Sequence, residues 1–547
     1  MLGQKSIKVN GADCGVEAIL LGVITSIGGF LFGYDTGQIS SMLLFSDFKE
    51  RFAQGPAGDK EWNPYIQSIL VSLMSIGSLL GALSGAYTAD WWGRRKSMTF
   101  GVAIFIIGNI IQISAMESWV HMMMGRFVAG LGVGNLSVGV PMFQSECAPR
   151  EIRGAVVASY QLMITIGILI SNIACLGFKK MDTSSASWRI VIGLGILFSL
   201  PLGIGILIVP ESPRWLASRG DWEGAQIALG RLRGMKHNLD HPLVQDDLKE
   251  MKEILEKEQR VGQGSWAECF NPKSGIPKLV WRTFLGFFIH FLQQWTGVNY
   301  FFYYGATIFE SAGIEDPIQT QLILGAVNVA TTFMGLWFVE KFGRRWPLFI
   351  GALWQAGWLA VFAAIGTAMN PSESKAVGIV LIVCACMFIA SFASTWGPMA
   401  WVVIGESFPL RTRAKQASIA TAGNWLGNCN HDCFPYSYCH RRYRLRLRFR
   451  LCRNQLGCRC PCLVLPFRIS RPQSGERRPH VRPGGSQALE QSQVGSSWIH
   501  HPRAARRSPL PTWQREAQEQ RVSLWRRLKS RVGVFSFITM NYDYRFF

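Results

Sequence analysis

Apolar residues fall in ten long runs separated by polar intervals. Six cover residues 18–32, 66–87, 99–115, 120–140, 154–176 and 190–209, and four more cover 284–302, 319–339, 348–368 and 377–404. Most are near the roughly 20 residues an α-helix needs to cross a bilayer. Glycines recur inside the runs, as in Gly77, Gly81 and Gly85, and again in Gly130, Gly132 and Gly134. Such spacing weakens a soluble helix, whereas in lipid it lets helix backbones approach closely. The interval 210–280 is rich in Lys and Glu and reads as helical over 243–259. The pattern predicts an all-α, polytopic membrane protein of about ten spanning helices. Its expected parts are an N-terminal segment 1–17, a six-helix bundle 18–209, a helical linker 210–280, a second bundle 281–427 and a tail 428–547. The first run has no small-residue cleavage site leading into a soluble domain, so it is expected to be a span and not a signal peptide.

Charge sharpens this division. Of 547 residues, 49% are hydrophobic and 17% charged, against about 25% charged in soluble proteins. The net charge of +21 is unevenly placed: residues 428–547 hold 22 Arg, one Lys and six acids, which leaves the body at +4. Within the body, basic residues cluster in short loops, at Arg94-Arg95-Lys96 and at Lys341, Arg344 and Arg345, with Arg150, Arg153, Arg411 and Arg413 ending other spans. Short basic loops face the cytoplasm. That puts the N-terminus and the linker inside and residues 46–64 outside.

The two groups of spans echo each other. Asp90-Trp-Trp-Gly93-Arg94-Arg95 recurs as Glu340-Lys-Phe-Gly343-Arg344-Arg345, and Glu146-Cys-Ala-Pro149-Arg150 recurs as Glu406-Ser-Phe-Pro409-Leu410-Arg411. A positive loop explains the arginines but not the matched acids. Repeats of this size suggest a transporter whose halves rock about a central site. Acid–Arg pairs across the cytoplasmic ends would hold one state and break in the other. The candidate gate comprises Asp90, Arg94, Arg95, Glu146, Arg153, Glu340, Arg344, Arg345, Glu406 and Arg411.

With these repeats, the chain resembles the sugar-porter branch of the major facilitator superfamily. The resemblance includes Pro210-Glu-Ser-Pro-Arg-Trp-Leu216 and Gln293-Gln294-Trp-Thr-Gly-Val-Asn299. Thr395-Trp-Gly-Pro-Met-Ala-Trp401 and Asn424-Trp425 are especially similar to fungal hexose transporters. It covers residues 18–426 and implies monosaccharide transport by alternating access, with glucose the expected hexose. It implies no enzyme activity and no cofactor. The expected partners are a monosaccharide, the lipid bilayer and, if transport is coupled, protons; nucleic acid is not among them. A monomer in the plasma membrane is expected. A transporter-like sugar sensor, which binds without carrying, is the alternative.

A monosaccharide needs neutral amides, which both donate and accept, and an aromatic platform. Intramembrane amides are Gln161, Gln293, Gln294, Asn299, Asn328 and Asn424. A lone one is readily explained as an interhelical hydrogen bond. The resemblance places all six at sugar-contacting positions and Trp401 at the aromatic that lines the site. Gln293 and Asn299 stand about 240° apart round an unbroken helix, so the helix must break between them, and Gly297 is the place. His290 matches no such position and reads as structural. Asp35 and Arg126, in separate spans, are expected to pair, since either charge alone is costly in lipid. The pair is either a structural salt bridge or a proton-coupling device.

The tail follows different rules. After Asn424-Trp425-Leu426 the apolar signal stops, and Arg441–Arg450 alone contains six arginines. An Arg-rich segment could bind anionic lipid or nucleic acid. It could also be regulatory, and Cys458, Cys460 and Cys462 could bind a metal, though a C-x-C-x-C set lacks a spaced partner pair. An Arg:Lys ratio of 22:1 with no periodicity is better explained by a frame error, a retained intron or a truncating mutation. With the last two spans unmade, the chain as it stands is expected to transport poorly or not at all, because backbone cannot be left unpaired in lipid.

Overall fold

A computed structural model describes residues 6–432, except 10–11, 57–59, 150–151, 182, 260–264, 273–274, 312–316 and 370–374. The Arg-rich tail from residue 433, with its three candidate metal-binding cysteines, and Arg150 lie outside the described residues.

A two-stranded antiparallel hairpin comes first, β1 (Ser6–Val9) with β2 (Ala12–Gly15), in register Ser6↔Gly15 and Val9↔Ala12. It is a small addition to the all-helical expectation. The first group of helices is α1 (Val16–Met42), short α2 (Ser46–Phe52), α3 (Pro64–Trp92), α4 (Arg94–Ile113), α5 (Trp119–Cys147), α6 (Arg153–Phe178) and α7 (Ala186–Ile208). Three shorter helices form the linker, α8 (Pro213–Ser218), α9 (Trp222–Leu232) and α10 (Pro242–Gln259). The second group is α11 (Leu279–Gln294), α12 (Val298–Ser311), α13 (Pro317–Phe342), α14 (Arg345–Ala368), α15 (Lys375–Ser394), α16 (Trp396–Ser407) and α17 (Arg413–Asp432).

Nine helical stretches among the described residues are long and apolar enough to span a membrane. The tenth expected span is broken into α11 and α12, each too short alone. The boundary expected at 427 falls inside α17, which continues to Asp432. At 20 residues, α17 reaches about 30 Å, enough to cross the hydrocarbon core. Hydropathy misses it because Lys415, Gln416, Asn424 and Asn428 interrupt its apolar positions. Gln416, Asn424 and Asn428 are buried against other helices, and Lys415 is half-buried beside Asp90.

Starts are set by local chemistry. Asn63 caps α3 by accepting a bond from the Tyr65 amide, with Pro64 in the first turn, where a missing N–H costs nothing. Ser212 does the same for α8 ahead of Pro213.

Within the first half, α1 packs on α6, and α3 and α4 pack on α5. Glycine permits the closeness: a Cβ on Gly33 would lie 1.9 Å from the Ile164 carbonyl oxygen. In the second half α11 packs on α17, and α15 on α13 and α14. The halves meet through α17 on α3, α13 on α6, and α12 on α1.

Candidate functional site

Two helix breaks bring polar residues together midway along the bundle. The first lies between α11 and α12, where Gly297 adopts φ +93°, a left-handed conformation that glycine takes without steric cost. The break satisfies the angular requirement read from the sequence, and Gln293, Gln294 and Asn299 join one network. The second lies between α15 and α16 at Thr395, just before Gly397-Pro398.

The amides saturate one another. Gln293 Nε2 donates to the carbonyls of Trp396 (2.8 Å) and Gly397 (3.3 Å), so one break is tied to the other. Asn424 Nδ2 donates to Gln293 Oε1 at 2.9 Å, and Gln294 Nε2 donates to Asn424 Oδ1 at 2.9 Å. Asn299 Nδ2 donates to Gln294 Oε1 and, at 2.7 Å, to Asn428 Oδ1. Asn428 Nδ2 in turn reaches the Tyr303 hydroxyl at 3.0 Å. Trp401 Nε1 donates to Gln161 Oε1 at 3.1 Å, linking the second half to the first. The Trp401 ring meets Tyr160 and His290 edge-on, with centroids 5.0 and 4.5 Å apart. All these groups are buried.

Asn328 stands apart from this network. It is buried on α13, and its Oδ1 has no hydrogen-bond partner among the described residues. Three polar residues join the cluster that the sequence did not assign to it: Tyr303, through Asn428, His290 and Asn428. His290 Nδ1 lies 2.9 Å from Asn424 Nδ2, which brings this histidine to the cluster. Asn428 fell beyond the point where the apolar signal ends. Its spacing of four from Asn424, one helical turn, was the available signal.

Asp35 and Arg126 face each other fully buried, with Oδ2 and Nη1 3.9 Å apart. That is an ion pair but too long for a hydrogen bond, and neither of these two atoms has another hydrogen-bond partner. The remaining atoms are engaged. Gln38 Nε2 donates to Asp35 Oδ1 at 2.7 Å, and Arg126 Nε donates to the Leu70 carbonyl at 2.9 Å.

At the basic end, the matched motifs pair within each half. Arg94 grips Glu146 with two bonds of 3.0 Å, and Arg344 Nη2 meets Glu406 Oε1 at 2.5 Å. Ser212 Oγ also donates to Glu146, at 2.6 Å. Glu211 accepts from the backbone amides of Arg94 (3.1 Å) and Arg95 (3.2 Å), capping α4 from the linker. Burial pushes the Glu211 carboxyl above the usual carboxylate range, against the pull of these amides and the Arg94 charge.

Among the other candidate gate residues, partners are of several kinds. Arg95 donates to the Ile206 and Leu207 carbonyls instead of to an acid, because it points along α7 and away from Glu146. Arg153 donates to the Ala148 carbonyl. Arg345 is exposed at the start of α14, without an acidic partner among the described residues. Arg411 pairs at 2.8 Å with Glu268 of the linker, not with Glu406, since Arg344 already occupies Glu406. Glu340 lies in α13, but its side chain is outside the described residues. Asp90 serves two partners, Arg94 at 3.5 Å and Lys415 of the other half at 3.6 Å.

Comparison with known proteins bears on these features. Residues 21–439 match the family model for the sugar (and other) transporters. A high-affinity glucose transporter of Schizosaccharomyces pombe is 40% identical over 415 residues, covering 75% of this chain and 74% of that one. A low-affinity glucose transporter of Saccharomyces cerevisiae is also 40% identical, over 414 residues, covering 74% and 71%. A high-affinity fructose transporter of S. pombe is 39% identical over 421 residues, covering 76% and 77%. Among solved structures, the proton:xylose symporter XylE of the major facilitator superfamily aligns with a TM-score of 0.68 at 24% identity, over 82% of this chain and 94% of that one. That likeness concerns the fold. The protein is thus a multi-pass membrane protein, not an enzyme, and it belongs to the sugar (and other) transporter family.

Proposed function

We propose that this chain binds a hexose, glucose in the first place, at the amide cluster and carries it across the plasma membrane by alternating access. The observation that carries this reading is the convergence of Gln161, Gln293, Gln294, Asn299, Trp401 and Asn424 with two helix breaks. Each amide offers a donor and an acceptor, matching the double character of sugar hydroxyls. The amides satisfy one another, which keeps buried polar groups from being orphaned. Sugar hydroxyls would replace amide–amide bonds one for one, with Trp401 as the flat apolar wall. Asn328, whose Oδ1 is unsatisfied, would take a further hydroxyl. The names of the relatives, two glucose transporters and a fructose transporter, support a hexose.

The basic end is assigned to the cytoplasm by its arginines, with the N-terminus on the same side. There the Arg94–Glu146 and Arg344–Glu406 pairs would hold the halves' ends in their closed arrangement and break as that end opens. The sensor reading shares the binding site but moves no sugar.

Asp35 and Arg126 support proton coupling. The ion pair is fully buried and lacks a direct hydrogen bond. A proton on Asp35 would cancel its attraction for Arg126 and free α1 to move against α5. Sugar-induced alkalinisation of the medium tests this, and uptake without any pH change rejects it.

Labelled-glucose uptake in transporter-deficient yeast tests the central function. Two forms are compared, the chain as it stands and one whose coding frame after Trp425 is changed to the alternative that yields apolar runs. Saturable uptake by the second with little by the first is expected. Absence of uptake by both, with altered sugar signalling, favours the sensor. Equal uptake by both overturns the expectation about the tail.

A further inference from the structure

The end opposite the arginines holds polar contacts that neither the amide cluster nor the arginine gate uses. They link the two halves at the place where α12, the second piece of the broken span, meets α1. Ser40 Oγ of α1 accepts a bond from the Ala306 amide of α12 at 3.3 Å. One residue on, Ser41 Oγ donates to Asn172 Oδ1 of α6 at 3.3 Å. Asn172 Nδ2 donates to the Gln321 carbonyl of α13 at 3.5 Å. Gln321 Nε2 then donates to the Phe301 carbonyl of α12 at 3.0 Å. Ser40, Ser41, Asn172 and Gln321 are all buried. Tyr303 and Ile318 close the same region by packing in one cluster with Ile39 and Met42 of α1.

Gln321 is the joint of this relay. Its backbone faces the first half through Asn172, and its side chain grips α12. The grip depends on a missing atom. A Cβ on Gly305 would lie 1.9 Å from Gln321 Nε2, so any larger residue there would expel the amide from its place. A glycine on one helix and a glutamine on the next are thus matched as socket and key.

We propose that Gln321 is a positioning residue that locks α12 against the first half, holding the end opposite the arginines closed. It touches no sugar in this role. It fixes where α12 lies, and α12 carries Asn299 and Tyr303 of the amide network. The lock rests on the alternating-access reading, in which this end must close and reopen once per cycle. Asp35 and Gln38 lie on the same helix as Ser40 and Ser41, within two turns, so a shift of α1 at the buried ion pair would be felt directly at the lock.

Thiol labelling tests the lock without requiring transport. In the purified full chain, Thr36→Cys places a thiol on buried α1 below this closure, and Ala89→Cys places a second, separate reporter at the basic end. Gln321→Leu keeps the bulk but cannot donate. Its expected effect is a rise of about fivefold or more in the maleimide labelling rate at position 36, the size implied by losing one buried hydrogen bond, with no rise at position 89. Gly305→Ala should reproduce that rise by expelling the amide, and the double variant should add little to either single one. Exposed Ile323→Ala on the same helix serves as the control. Equal rises at positions 36 and 89 would mean general loosening and overturn the proposal, as would an unchanged rate at 36 in both single variants. Glucose binding measured on the same samples reports on the transport reading separately.

Discussion

Gln293 illustrates how much a single side chain does here. Its amide donates to two carbonyls at one helix break while accepting from Asn424. Gln293→Leu leaves those groups buried without partners, at about 1–3 kcal/mol. Roughly five- to hundredfold weaker glucose binding is expected, measured as Kd on purified protein, with correct folding checked by thermal stability. A loss below twofold would remove Gln293 from the site. These amides were legible in the sequence because a polar residue inside an apolar run is costly and invites a reason. His290 and Asn428 were not. A lone histidine carries no pattern, and which neighbour it meets depends on a helix 134 residues away. Asn428 was hidden because α17 is polar enough to look like the start of the tail.

Helix interruptions decide where those side chains point. The break at Gly297 was readable, since Gln293 and Asn299 could share a site only if the helix failed between them. Gly297→Ala forces a side chain into φ +93° at about 1–3 kcal/mol. A lower melting temperature is expected, together with weaker glucose binding, because Asn299 moves with α12; unchanged values for both would show that the break tolerates other residues. The N-terminal hairpin was also readable in principle. Asn10-Gly11 separates its strands, the strongest short hairpin signal, but a four-residue strand has too few positions for hydropathy to register. α17 escaped for the opposite reason. Its polar residues are satisfied by Thr283, His290, Gln293, Gln294 and Asn299, contacts that only the folded bundle brings together.

Across the whole molecule, the halves touch at both ends, through Asp90–Lys415 at one and Ser40–Ala306 at the other. The two-fold motif repeat foretold pairing at the basic end, and Arg94–Glu146 and Arg344–Glu406 follow it. It could not foretell Glu268–Arg411 or Lys415–Asp90, which have no counterpart in the repeat. These contacts differ in weight. Arg94→Ala strands buried Glu146 and should cost about 3–5 kcal/mol, while Lys415→Ala removes a bond to a 40% exposed Asp90, worth about 0–1 kcal/mol. Thiol labelling at an Ala89→Cys reporter should therefore rise steeply in the first variant and little in the second. A steeper rise in the second variant than in the first would show that the contact between halves, not the pair within one, holds this end.

The proposed hexose transport depends most on the amide cluster recognising a sugar by its hydroxyl pattern. Equilibrium binding of D-glucose and L-glucose to the purified full chain, followed by tryptophan fluorescence, tests this most directly because Trp401 borders the cluster. Saturable binding of D-glucose, with L-glucose at least tenfold weaker, is the expected result. Equal affinity for the two mirror images, or no saturable binding of either, would contradict it.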